Sequence, residues 1–98
     1  MKAVALVSQK VNSELLQWQF DKIMSAIAYD LELTIIFFND GLMQIETNKI
    51  WRCLDLYGID QVFYFSQTKG KFKKPLFNIE TIDESKLKTI ISKAEIIL

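Results

Sequence analysis

Short apolar runs alternate along the chain with stretches whose apolar positions recur every three or four residues. Ala3-Val-Ala-Leu-Val7 is a continuous apolar run, the pattern of a strand buried on both faces. Leu16, Phe20, Ile23, Met24 and Ile27 then fall on one face of a helix, with Asn12 and Ser13 as candidate N-caps and Glu14 suited to the first turn. Leu33-Thr-Ile-Ile-Phe-Phe38 is rich in β-branched and aromatic residues and predicts a second strand, ended by Asn39-Asp40-Gly41. A second helix is expected from about Asn48 to Tyr57, with Ile50, Cys53, Leu54 and Tyr57 on its apolar face and Gly58 terminating it. Gln61-Val-Phe-Tyr-Phe65 predicts the third strand, and Ser66 to Pro75 a polar, lysine-rich connection. Leu76-Phe77-Asn78-Ile79 reads as a short fourth strand near an edge, because Pro75 opens it. Thr81-Ile-Asp-Glu84 matches a capping box ahead of a third helix bearing Leu87, Ile90, Ile91 and Ala94, and Ile96-Ile97-Leu98 supplies a fifth strand.

Strand-helix alternation calls for right-handed crossovers and parallel pairing. The expected fold is one α/β domain over residues 1–98, with three α/β/α layers and a mostly parallel five-stranded sheet. The connection between the third and fourth strands carries no helical pattern.

Composition narrows the chemistry. The 98 residues hold 12 basic and 12 acidic side chains, no histidine, one cysteine and three glycines. Without histidine there is no Ser-His-Asp or Cys-His catalysis and no histidine metal site. One cysteine makes neither an internal disulfide nor a cysteine zinc site. The loop Ser8-Gln-Lys-Val-Asn-Ser13 has no glycine, whereas dinucleotide and P-loop motifs need glycines there for close approach to phosphate. No cofactor and no metal are expected. The opening MKAVALVSQK is too short in apolar residues for a secretory signal, and no window approaches the ~20 apolar residues of a membrane span. No membrane association and a cytoplasmic setting are expected.

Candidate chemistry lies at the carboxyl ends of the strands, where open parallel sheets bind ligands. Those ends are Ser8-Gln9, Asn39-Asp40-Gly41 and Ser66-Gln67, which form either a pocket or ordinary strand exits. Cys53 is the single sulfur nucleophile, but its place on an apolar helix face favours a core role over a persulfide carrier. The zero net charge conceals segregation. Residues 61–80 carry Lys69, Lys71, Lys73 and Lys74 against Glu80, while residues 30–60 carry six acids against two bases. The lysine run reads as a surface for an anion, RNA or acidic partner, or as a solvated loop. Trp18 lies off the apolar stripe of its helix and is an interface anchor if exposed.

Two segments carry a family likeness. Phe37-Phe38-Asn39-Asp40-Gly41-Leu42-Met43-Gln44-Ile45 resembles the "FF-x-x-DG-hydrophobic-x-Q" segment of the TusC/DsrF proteins. Leu54-Asp-Leu-Tyr-Gly-Ile-Asp-Gln-Val62 is similar to the "L-x-LY-x-I-x-x-hydrophobic" segment that follows it. The resemblance implies a DsrE/DsrF-like fold and assembly with related TusB/DsrH-like and TusD/DsrE-like subunits into a complex that relays persulfide sulfur. Such relays act in sulfur oxidation or in forming 2-thiouridine in tRNA. It also implies that the active cysteine belongs to the TusD/DsrE-type partner, just after the third strand. Here that place reads Phe65-Ser66-Gln67, so the chain is expected to be a non-catalytic subunit that meets tRNA only indirectly. The alternatives are a self-associating binding module and a sulfur acceptor using Cys53.

Overall fold

The computed structural model describes residues 1–11, 13–67 and 74–98. Its strands are β1 (Lys2–Val7), β2 (Glu32–Phe37), β3 (Val62–Tyr64), β4 (Glu80–Thr81) and β5 (Ile96–Ile97), and its α-helices are α1 (Glu14–Ala28), α2 (Gln44–Thr47), α3 (Cys53–Leu56) and α4 (Glu84–Lys93). Turns of 3-10 helix at Asn39–Met43 and Lys49–Arg52 lead into α2 and α3. The strands form one sheet in the order β4-β3-β2-β1-β5, and every pairing is parallel. The expected α/β architecture is therefore present, with the sheet wholly rather than mostly parallel.

Strand alternation divides the sheet into two faces. Ala3, Ala5, Val7, Leu33, Ile35, Phe37, Val62 and Tyr64 point to one face and pack with Leu16, Ile23 and Ala26 of α1 and with Ile45, Trp51, Leu54 and Phe77. Val4, Ile36, Phe63 and Ile82 point to the other, where Leu87, Ile90 and Ala94 of α4 are partly buried against them. The two layers are unequal. No residue of α4 is fully buried. The first face holds the Trp51 ring, edge-on to Phe20 at 5.4 Å and to Phe37 at 5.2 Å between centroids.

Local chemistry explains the helix ends. Ser13 caps α1, its hydroxyl accepting from the Leu16 amide at 3.1 Å. Asn12, the other candidate cap, lies outside the described residues. α3 ends in a Schellman motif: Ile59 N donates to Leu54 O at 2.9 Å and Gly58 N to Asp55 O at 3.2 Å. Gly58 takes φ +71°, the left-handed conformation glycine adopts without strain.

Three expectations on the elements are corrected. Leu76–Ile79 forms no strand, because Phe77 is buried against Phe37 and the apolar core draws this segment in as irregular chain. The fourth strand is Glu80–Thr81. The cap of α4 is Asp83, whose carboxylate accepts from the Lys86 amide at 2.8 Å; Thr81 sits in β4 instead. The helix expected over 48–57 is a 3-10 turn running into α3, and its buried residues are Trp51 and Leu54, while Ile50 and Tyr57 are exposed. The short helical segment at 39–47 has no counterpart in the predicted elements.

Candidate functional site

β2 and β3 are neighbours with Phe37 opposite Tyr64, and the Phe65 amide donates to Phe37 O at 2.9 Å. Asn39-Asp40-Gly41 and Ser66-Gln67 therefore leave the sheet at the same end of adjacent strands, beside Ser8-Gln9 at the end of β1. Asn39, Asp40 and Gln67 are exposed and Ser66 is half-buried. Asn39 takes φ +50°, which asparagine tolerates better than most side chains. Gly41 has a packing role. It is buried, and a Cβ added to it would stand 2.0 Å from Val7 O and 2.7 Å from Val7 C. Only glycine lets the turn after β2 close over the end of β1.

Gln44 follows one turn later and is fully buried. Its Nε2 donates to Gln9 O at 2.7 Å. Its Oε1 accepts from Trp51 Nε1 at 2.6 Å and from Asn48 Nδ2 at 3.0 Å. A buried amide is stabilising only when its polar atoms are engaged. Here both ends of the amide are, and the network ties the loop after β1 to the helical segment after β2. Glycine and glutamine of the "DG-hydrophobic-x-Q" segment thus have architectural roles: Gly41 by its size, Gln44 by its hydrogen bonds.

Cys53 opens α3, half-buried and packed against the first-face core. Burial pushes its thiol above the ordinary thiol range, and a backbone hydrogen bond only partly opposes this. At neutral pH the group is the protonated thiol, a poor nucleophile. Iodoacetamide at neutral pH should alkylate Cys53 several-fold more slowly in the folded chain than in urea. Equal rates by mass spectrometry would show a fully accessible thiol of ordinary acidity instead, and a faster folded-state rate an activated thiolate.

The remaining expected positions separate. Trp18 is 57% exposed and Leu15, one turn earlier on α1, is 55% exposed, so Trp18 does not tuck into the core. Lys74 is exposed, whereas Lys69, Lys71 and Lys73 lie outside the described residues. No group of three or more metal-ligating side chains occurs among the described residues. None of their helices is long and apolar enough to cross a membrane.

A cleft of about 460 Å³ lies at the opposite end of the sheet, at the amino ends of β1, β2 and β3. Val4, Leu33, Thr34 and the Gly58–Gln61 turn line it with Ile90, Lys93 and Ala94 of α4. Lys2, Glu32, Asp60 and Lys93 place charges around it. Sequence reasoning looked to the carboxyl ends and missed this site. Its signal was slight: Glu32 and Thr34 alternate with apolar residues in β2, marking one face of that strand as polar at its start. Comparison of the chain with known protein families and with curated proteins returns no match.

Proposed function

We propose that the chain is a non-catalytic subunit of a sulfur-relay complex, a TusC/DsrF-like protein of the cytoplasm that works with TusD/DsrE-like and TusB/DsrH-like partners. The observation that carries this reading is the state of its only thiol. Cys53 is half-buried and held protonated, and Phe65-Ser66-Gln67 stand where the resemblance implies the partner's reactive cysteine. A half-buried, protonated thiol suits a subunit that lends surface to a neighbour carrying the reactive cysteine. Further support comes from the parallel five-stranded α/β architecture, the class that the resemblance implies. The exposed Leu15 and Trp18 on α1 add an apolar ridge of the kind that anchors interfaces. On this reading Asn39, Asp40, Ser66 and Gln67 shape the rim near the partner's cysteine, and tRNA is met only by the assembled complex.

Co-expression with TusD- and TusB-like chains, followed by native mass spectrometry, tests the assignment. Expected is a complex that Cys53→Ser leaves intact and Trp18→Ala weakens. A chain that binds neither partner overturns the reading.

A further inference from the structure

Among the described residues, α4 is the one helix on the second face of the sheet, and the cleft is the part that it leaves open. A parallel sheet normally buries apolar side chains on both faces. At this end the second face is instead polar. Register places Lys2 beside Glu32 and Val4 beside Thr34 on that face, and Gln61 precedes β3 next to them, its carbonyl accepting from the Ile35 amide at 2.9 Å. The lining also includes Asp60, just before β3, and Lys93 of α4. The four charged side chains are two of each sign, and none makes an ion pair with another described residue. Val4, Ile90 and Ala94 supply an apolar wall between them. The volume falls in the range of small-molecule sites, ~300–1,000 Å³.

We infer that this cleft binds a small zwitterion of the free amino-acid class. Its ammonium meets Glu32 and Asp60, its carboxylate meets Lys2 and Lys93, and its side chain lies against Val4, Ile90 and Ala94. Balanced charge fits this class: a zwitterion can set each of its charges against two side chains of opposite sign, whereas an anion or a cation would also lie beside two side chains of its own sign with no second charge to meet them. The Thr34 hydroxyl and the Gln61 amide add hydrogen-bonding capacity to the lining. This site is independent of the sulfur-relay reading, since it sits at the end of the sheet away from Ser66 and Gln67.

Amide chemical-shift perturbation of the full chain tests the inference. The standard L-amino acids, added one at a time at millimolar concentration, form the probe set, and N-acetyl-leucine amide is the uncharged control. At least one amino acid is expected to give saturable shifts at Val4, Thr34, Gly58 and Gln61, with no comparable shift from the capped amide. Glu32→Gln and Lys93→Gln, both at exposed positions, should each weaken that binding about threefold to fivefold, the scale of one exposed charge contact. Absence of saturable shifts from every amino acid overturns the inference. So do equal shifts from the capped amide, or binding that neither substitution changes.

Discussion

Trp51→Ala should destabilise the fold by about 3–5 kcal/mol, the usual cost of emptying a buried aromatic site. The side chain is fully buried, and three interactions depend on it: the edge-on contacts with Phe20 and Phe37 and the hydrogen bond to Gln44 Oε1 at 2.6 Å. A domain of this size has a total stability near the lower end of ~5–15 kcal/mol, so the variant should be largely unfolded or close to it. Urea titration followed by far-UV circular dichroism measures the loss. Trp51→Phe separates the two contributions. It keeps most of the ring and removes the N–H donor, for an expected cost of about 1–2 kcal/mol. Trp18→Ala on the exposed face of α1 should change the unfolding free energy by no more than about 0.5 kcal/mol. A loss below that same figure for Trp51→Ala would mean that the aromatic cluster is not the centre of the core.

Gly41→Ala is expected to cost about 3 kcal/mol, at the upper end of the range for overpacking, because the obstacle is backbone. The added methyl would collide with the Val7 carbonyl, and that oxygen already accepts the Phe38 amide at 3.0 Å. Relief therefore requires the ends of β1 and β2 to separate, which hydrogen exchange at Phe38 would report as lost protection. Gly58→Ala is the informative comparison. Gly58 has a positive φ but nothing within 4 Å of an added Cβ, so its cost is conformational and near ~1 kcal/mol. If the two alanine variants were equally stable, the contact between Gly41 and Val7 would not be limiting.

The contrast between these glycines shows what the sequence made legible. Local signals were readable: the caps at Ser13 and Gly58, the apolar runs of β1, β2 and β3, the stripe of α1. Features set by distant parts of the chain were not. Periodicity put Ile50 and Tyr57 on the apolar face of the 48–57 segment, but the aromatic pocket between α1 and β2 selects Trp51. The run from Leu76 to Ile79 looked like a strand because it is apolar, yet Phe77 is drawn to Phe37 and the backbone pairs with β3 only from Glu80. Asp83 and Thr81 both suit a cap, and only the register of β4 decides between them. For the candidate site, strand order brings the three expected strand ends to one end of the sheet. Gly41 was recognised as a motif residue without its steric reason. The charged cleft stayed hidden because Lys2 and Glu32 become neighbours only through pairing of β1 with β2.

The outermost strands, β4 and β5, are each two residues long. A second polypeptide aligning itself along either border would find a ladder far shorter than an ordinary strand of ~5–6 residues. Strand addition is thus a poor route to assembly, and uncontrolled growth of the sheet from chain to chain is discouraged. On the proposed reading, assembly would run through side chains on the helical layers instead, where Trp18 on α1 is an exposed aromatic.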